Sequence, residues 1–145
     1  MADVRLIRST TELEGTCYFE FLPGRYDQKC WNEGSVFLSE EAFDLIEPIF
    51  LRRVPEFDHY AFVEINRSRW SLIVGDLEVL TERLATVNGV DELRDLVRVT
   101  NAFDEHDLRT AFVEYKRLIR QMLTDLAAWL RGQASRHEII SVLGM

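Results

Sequence analysis

The donors that a divalent metal ion favours crowd together once along the chain, at Asp104-Glu105-His106-Asp107. Oxygens from Asp104 and Asp107, assisted by His106, are the raw material of a small metal-dependent hydrolase. Consecutive helical residues, however, point about 100° apart and do not converge on one ion. Acids in the first turn of a helix also answer its dipole and its unpaired amides, so the quartet reads first as a helix start. Cys17 and Cys30, with His59, His106 or His137, supply a nucleophile-and-base vocabulary, but nothing in their spacing requires them to meet. The sequence has no Gly-rich phosphate loop, no Gly-x-Ser-x-Gly elbow and no paired-cysteine metal motif. These observations assign no catalytic residue, no metal ligand and no cofactor, and point to a protein that is not an enzyme.

Charge offers a different chemistry. The formal net charge is -8, the wrong sign for a protein that holds phosphate backbones. Residues 1–60 carry six basic and twelve acidic side chains, so most of the excess lies there. Glu33, Glu40, Glu41, Asp44 and Glu47 follow one another without a single base between them. On a helix starting after Ser39, Glu40, Asp44 and Glu47 share one side with Glu41 beside them, while Phe43, Ile46 and Phe50 point the other way. That predicts an exposed negative strip, and such a strip speeds encounter with a basic partner. Trp31, in a loop between Cys30 and Asn32, is the aromatic that offers itself as an exposed anchor beside these acids. Trp70 and Trp129 fall on helical apolar stripes and read as core.

The elements that must position these groups are legible in outline. Aromatic-rich residues 16–22, ending at Pro23-Gly24, predict a strand, and residues 35–38 a second. Ser39 caps a helix with Glu40 and Glu41 in its first turn, and Pro48 predicts a kink or break near Glu47. Asp58 to Ile65 reads as a strand, and Asn66 caps a helix running to about Val87. Its buried stripe is Trp70, Ile73, Leu77, Leu80 and Leu84, and Asn88-Gly89 predicts a left-handed stop. A short helix follows at 91–99. From Asp104 to Gly132 apolar residues recur at three- and four-residue steps, the pattern of one long amphipathic helix. Residues 138–143 read as a short terminal strand. The expectation is an α+β fold in a single domain spanning 1–145: a small antiparallel or mixed sheet covered by several helices, with the long C-terminal helix followed by the short strand.

Hydrophobic residues make up 47 % of the 145, enough for one well-filled core. The N-terminus lacks a secretory pattern and no window approaches the ~18 apolar residues of a membrane span, so a cytoplasmic protein with reduced cysteines is expected. Cys17 and Cys30 could form one bridge in an oxidising compartment.

Three segments, Gly34-Ser35-Val36-Phe37-Leu38-Ser39-Glu40-Glu41-Ala42-Phe43, Asp58-His59-Tyr60-Ala61-Phe62 and Ile140-Ser141-Val142-Leu143-Gly144, give the chain a resemblance to small acidic bacterial proteins. Among proteins of that kind are immunity proteins of toxin–immunity pairs, including contact-dependent growth inhibition systems. The resemblance implies tight one-to-one binding of a cognate toxin domain without turnover, and it transfers no binding residue. Charge placement alone makes Glu33, Glu40, Glu41, Asp44, Glu47 and Trp31 the expected partner-binding residues, facing a basic toxin such as a nuclease domain. Neither nucleic acid nor membrane is an expected partner. The alternatives are the hydrolase built on Asp104, His106 and Asp107, and a homodimer or larger homo-oligomer packed through its long C-terminal helix.

Overall fold

The computed structural model describes residues 2–145. Strand β1 (Tyr18–Pro23) alternates Phe19 and Phe21 toward one face with Glu20 and Leu22 toward the other. It pairs antiparallel with β2 (Val36–Ser39) on one side and with β4 (Ile139–Leu143) on the other, and β3 (Phe62–Asn66) pairs with β4, giving the order β2-β1-β4-β3. The register sets Phe19 opposite Leu38, Phe21 opposite Val36 and Val142, and Ile65 opposite Ile140. One face of the sheet is therefore continuously apolar. The fold is α+β with an antiparallel sheet, as the element pattern predicts.

Helices α1 (Glu40–Arg53) and α2 (Arg67–Leu84) contribute to the core against that face. Phe19 stacks on Phe43 with ring centroids 4.0 Å apart, and Phe50 meets Trp70 edge-on at 5.7 Å. Burying each such side chain stabilises the fold by about 1.5–3 kcal/mol. The Trp70 indole donates to the Ile140 carbonyl at 3.1 Å, so its polar edge is satisfied inside the core. Ser39 caps α1 as expected, its hydroxyl accepting from the Ala42 amide. Asn66 caps α2 in the same way through Arg69.

Three expectations are corrected. Of the two outcomes expected at Pro48, the break does not occur, and α1 runs on to Arg53. Pro48 leaves the Asp44 carbonyl without its helical donor, and the next carbonyl, Leu45, accepts the Arg98 amide from another segment at 3.2 Å. Gly89 is not left-handed: its φ is -163° and it precedes α3 (Val90–Leu96) as an extended cap. The amides of Ala85, Thr86 and Val87 close the end of α2 on the Glu82, Arg83 and Leu84 carbonyls, and the Lys116 ammonium, donating to the Ala85 and Val87 carbonyls at 2.9 and 2.8 Å, sets a cation at the negative end of the helix dipole. The single helix expected from Asp104 is two, α4 (Glu105–Thr110) and the long α5 (Phe112–Ala134). They part at Ala111, whose φ of -107° and ψ of 27° lie outside the helical range.

Candidate functional site

The two faces of the sheet carry different polar constructions, and the residues expected to act together are divided between them. On the face away from the helices, the loop from Gly24 to Ser35 is tied down at two carboxylates. Glu64 of β3 accepts from Arg25 (2.7 Å) and from the Tyr26 amide (3.1 Å). Glu20 of β1 is buried and accepts four hydrogen bonds: the amides of Trp31 (2.6 Å) and Asn32 (3.0 Å), the Asn32 side chain (3.0 Å) and the Ser35 hydroxyl (2.6 Å). Two successive amides converging on one anion form a backbone nest, here filled by a side chain of the protein itself.

This anchoring fixes Trp31. Its φ is +60°, a left-handed conformation that costs a bulky residue about 1–2 kcal/mol. The side chain is nevertheless 40 % exposed. Glu33 stands exposed two residues on. Phe62 is also exposed, packed edge-on against Tyr26 with centroids 4.8 Å apart.

On the helical side, α1 carries Glu40, Asp44 and Glu47 on one side, as the spacing requires, but they do not form an exposed strip. Asp44 and Glu47 are only 8 % and 4 % exposed. Two cations from elsewhere in the chain cover them. His59, in the connection from α1 to β3, places Nδ1 2.7 Å from Glu47 and Nε2 2.7 Å from Glu40. Arg98, just after α3, donates to Asp44 at 3.0 Å and to Glu47. Burial holds the His59 imidazolium down, but the bonds to Glu40 and Glu47 and the charges of Glu47 and Asp44 outweigh it and push His59 above its ordinary range. Burial pushes the Asp44 carboxyl up against the opposing pull of Arg98. Glu40 and Glu41 stay partly exposed, and Glu41 accepts the Asp3 amide at 3.3 Å.

Donor atoms of Asp44, Glu47 and His59 lie within 4.8 Å of one another, compact enough for an ion. Arg98 and the His59 proton already fill the cationic positions, which makes the group an internal ion-pair network. The quartet at the start of α4 is the helix start that its pattern suggests. Asp104 caps the helix by accepting the Asp107 amide at 2.9 Å, Glu105 pairs with Arg94 and Arg109, and His106 and Asp107 are exposed. Cys17 and Cys30 are free and exposed. Partial desolvation, then the charge of Glu20, pushes the Cys30 thiol up, away from the thiolate a nucleophile needs. A cleft of about 250 Å³ between α1, α2 and α3 is lined by Leu45, Pro48 and Ile49 with Arg52 and Asp76, and by none of the residues expected to act.

Sequence reasoning passed over Glu20 and Arg98 and met His59 only as a possible base for the cysteines. Glu20 left a signal, a carboxylate between two core phenylalanines in a short strand. Uncompensated acids at 40, 44 and 47 left another, since like charges four apart call for a cation from elsewhere.

Fold and site together define a small α+β protein with a helical layer on one face of its sheet and an anchored, aromatic-tipped loop on the other. No family model, curated protein or solved structure matches the chain. Among the described residues, no helix is long and apolar enough to cross a membrane.

Proposed function

We propose that this is a cytoplasmic, non-enzymatic binding protein of the immunity type, which neutralises a cognate toxin domain by covering its substrate groove. A basic nuclease is the toxin that an acidic protein fits best. The observation that carries the reading is Trp31, held exposed in a strained conformation by a buried carboxylate. An aromatic side chain fixed before encounter loses little entropy on docking, the property of a binding hot spot. Exposed Glu33 beside it, with partly exposed Glu40 and Glu41 elsewhere on an acidic surface, favours approach by a positive partner. Asp44 and Glu47 serve the fold in this reading and meet the partner only through the field they leave.

The reading is tested by expressing each reading frame adjacent to the gene alone and together with this chain. One neighbour should arrest growth, be rescued by this chain and bind it one to one with nanomolar Kd. Trp31→Ala should weaken that binding by at least thirtyfold, the lower bound for a hot spot. Absence of any rescued toxin, or binding indifferent to Trp31→Ala, overturns it.

A further inference from the structure

The His59 ring is held in a way that only one of its protonation states satisfies. Both nitrogens lie 2.7 Å from carboxylate oxygens, Nδ1 from Glu47 and Nε2 from Glu40. A carboxylate offers no proton, so both contacts are hydrogen bonds only when both ring nitrogens carry one. Neutral imidazole keeps a single N–H and turns a lone pair toward the other carboxylate. Glu47, almost fully buried and shared with Arg98, is the costlier of the two to leave unpaired, whereas Glu40 is partly exposed and water can take the place of the ring.

More hangs on His59 than its side chain. It lies in the connection from α1 to β3, and its carbonyl accepts the Met145 amide at 3.1 Å, while the Ala61 carbonyl accepts the Gly144 amide at 3.1 Å. The end of the chain beyond β4 is thus hooked onto the same connection that the imidazolium clamps to α1. Gly144 is shaped for the hook: a Cβ there would sit 2.5 Å from the His59 carbonyl oxygen.

We propose that His59 is a proton-operated latch, which as imidazolium clamps the α1–β3 connection to Glu40 and Glu47 and, on losing its proton, releases Glu40 and loosens the hook at Gly144 and Met145. The groups that face it are consistent with this direction. Helix α1 brings Glu40, Asp44 and Glu47, and the segment after α3 brings Arg98, already committed to Asp44 and Glu47. The connection itself brings Tyr60, edge-on to the ring at 4.8 Å, and Asp58, whose carboxylate takes the Tyr60 amide. Strand β1 contributes the apolar ring of Phe19, roughly perpendicular to the imidazole at 4.8 Å. Three carboxylates against Arg98 and an imidazolium become three against Arg98 alone. The folded-state pKa of His59 lies above its ordinary value, so the latch is fully closed below about pH 6.5 and opens as pH rises through that folded-state value.

Amide hydrogen exchange of Gly144 and Met145, expressed as protection relative to the unstructured chain, tests the latch between pH 6 and pH 9 alongside the His59 ring nitrogen shifts. Protection should fall by about tenfold or more with the same midpoint as the ring, the factor that one hydrogen bond to a charged group is worth. Glu40→Gln should abolish the step, because its amide can donate to the neutral ring and keep the bridge. His59→Gln should also exchange without a step, at the faster, open level. Protection unchanged through the His59 titration, or a step of wild-type size in Glu40→Gln, overturns the proposal.

Discussion

Replacing Glu20 by Gln is the sharpest probe of how the Trp31 loop is held. The two side chains have the same shape, and the strand ladder of β1 does not use the carboxylate. What changes is acceptor capacity and charge. One oxygen of Glu20 accepts the Trp31 amide and the other accepts three donors, from Asn32 twice and from Ser35. Gln therefore turns its amide nitrogen to the Trp31 side, where it meets one N–H instead of three donors. That contact is lost outright, and the remaining three bonds fall from charge-assisted to neutral strength. Together these changes cost about 2–4 kcal/mol. The loop has a cheaper escape than global unfolding, since opening also relieves the left-handed Trp31. The effect should appear locally: exchange of the Trp31 and Asn32 amides should speed up between about thirtyfold and several-hundredfold. Amides of Leu22 and Val142, in the ladder, should change by less than about threefold. Residue-resolved exchange by NMR reads both. A rise below fivefold at Trp31, or an equal rise across the sheet, would refute the claim that Glu20 holds the loop.

Two further perturbations test other joints of the fold. Gly144→Ala should lower the urea midpoint and expose the Met145 amide, because the added methyl meets the His59 and Ala61 carbonyl oxygens at 2.5 and 2.8 Å and backbone must move. The bonds from Arg53, against some opposition from burial and with help from Arg52, hold the Asp76 carboxyl below its ordinary range. Its contribution is then present above about pH 4 and lost as pH falls through the folded-state value. Urea midpoints measured from pH 2 to pH 7 should show Asp76→Asn less stable than the native chain at neutral pH, with the gap closing in acid.

Sequence legibility followed the range of the interaction. Strands β1, β2 and β4, the Ser39 and Asn66 caps and the stripe of α2 all show in the chain because alternation, helical periodicity and capping act over a few residues. The division at Ala111 does not, since the apolar steps continue straight through it and no glycine or proline stands there. Gly89 misled for a related reason: a glycine after a helix signals a left-handed stop, yet the amides of Ala85, Thr86 and Val87 already take the last carbonyls of α2, and Lys116, far along the chain, takes those of Ala85 and Val87 just beyond it. Trp31 was legible as the exposed aromatic. Glu20, which holds it, shows only as a carboxylate between two core phenylalanines, and its target is a loop eleven residues away.

The acids of α1 show why spacing locates charge but does not decide its use. Helical geometry correctly put Glu40, Asp44 and Glu47 on one side of α1. Treating that side as solvated assumed that α1 is covered only where its apolar residues lie. In the fold α1 is an inner helix, with the sheet on one side, α2 on another, and the His59 connection and the Arg98 segment closing over the third. Charges so enclosed must be neutralised where they stand, because an isolated buried carboxylate is far costlier than an ion pair. Much of the negative potential expected along α1 is thus cancelled by His59 and Arg98. Glu33 and Asp27 enter no ion pair among the described residues and stay exposed in the loop that carries Trp31, together with the equally unpaired Lys29. The aromatic anchor therefore lies on the face of the sheet opposite the helix where the acids are densest in sequence, and the acids of that helix serve its packing.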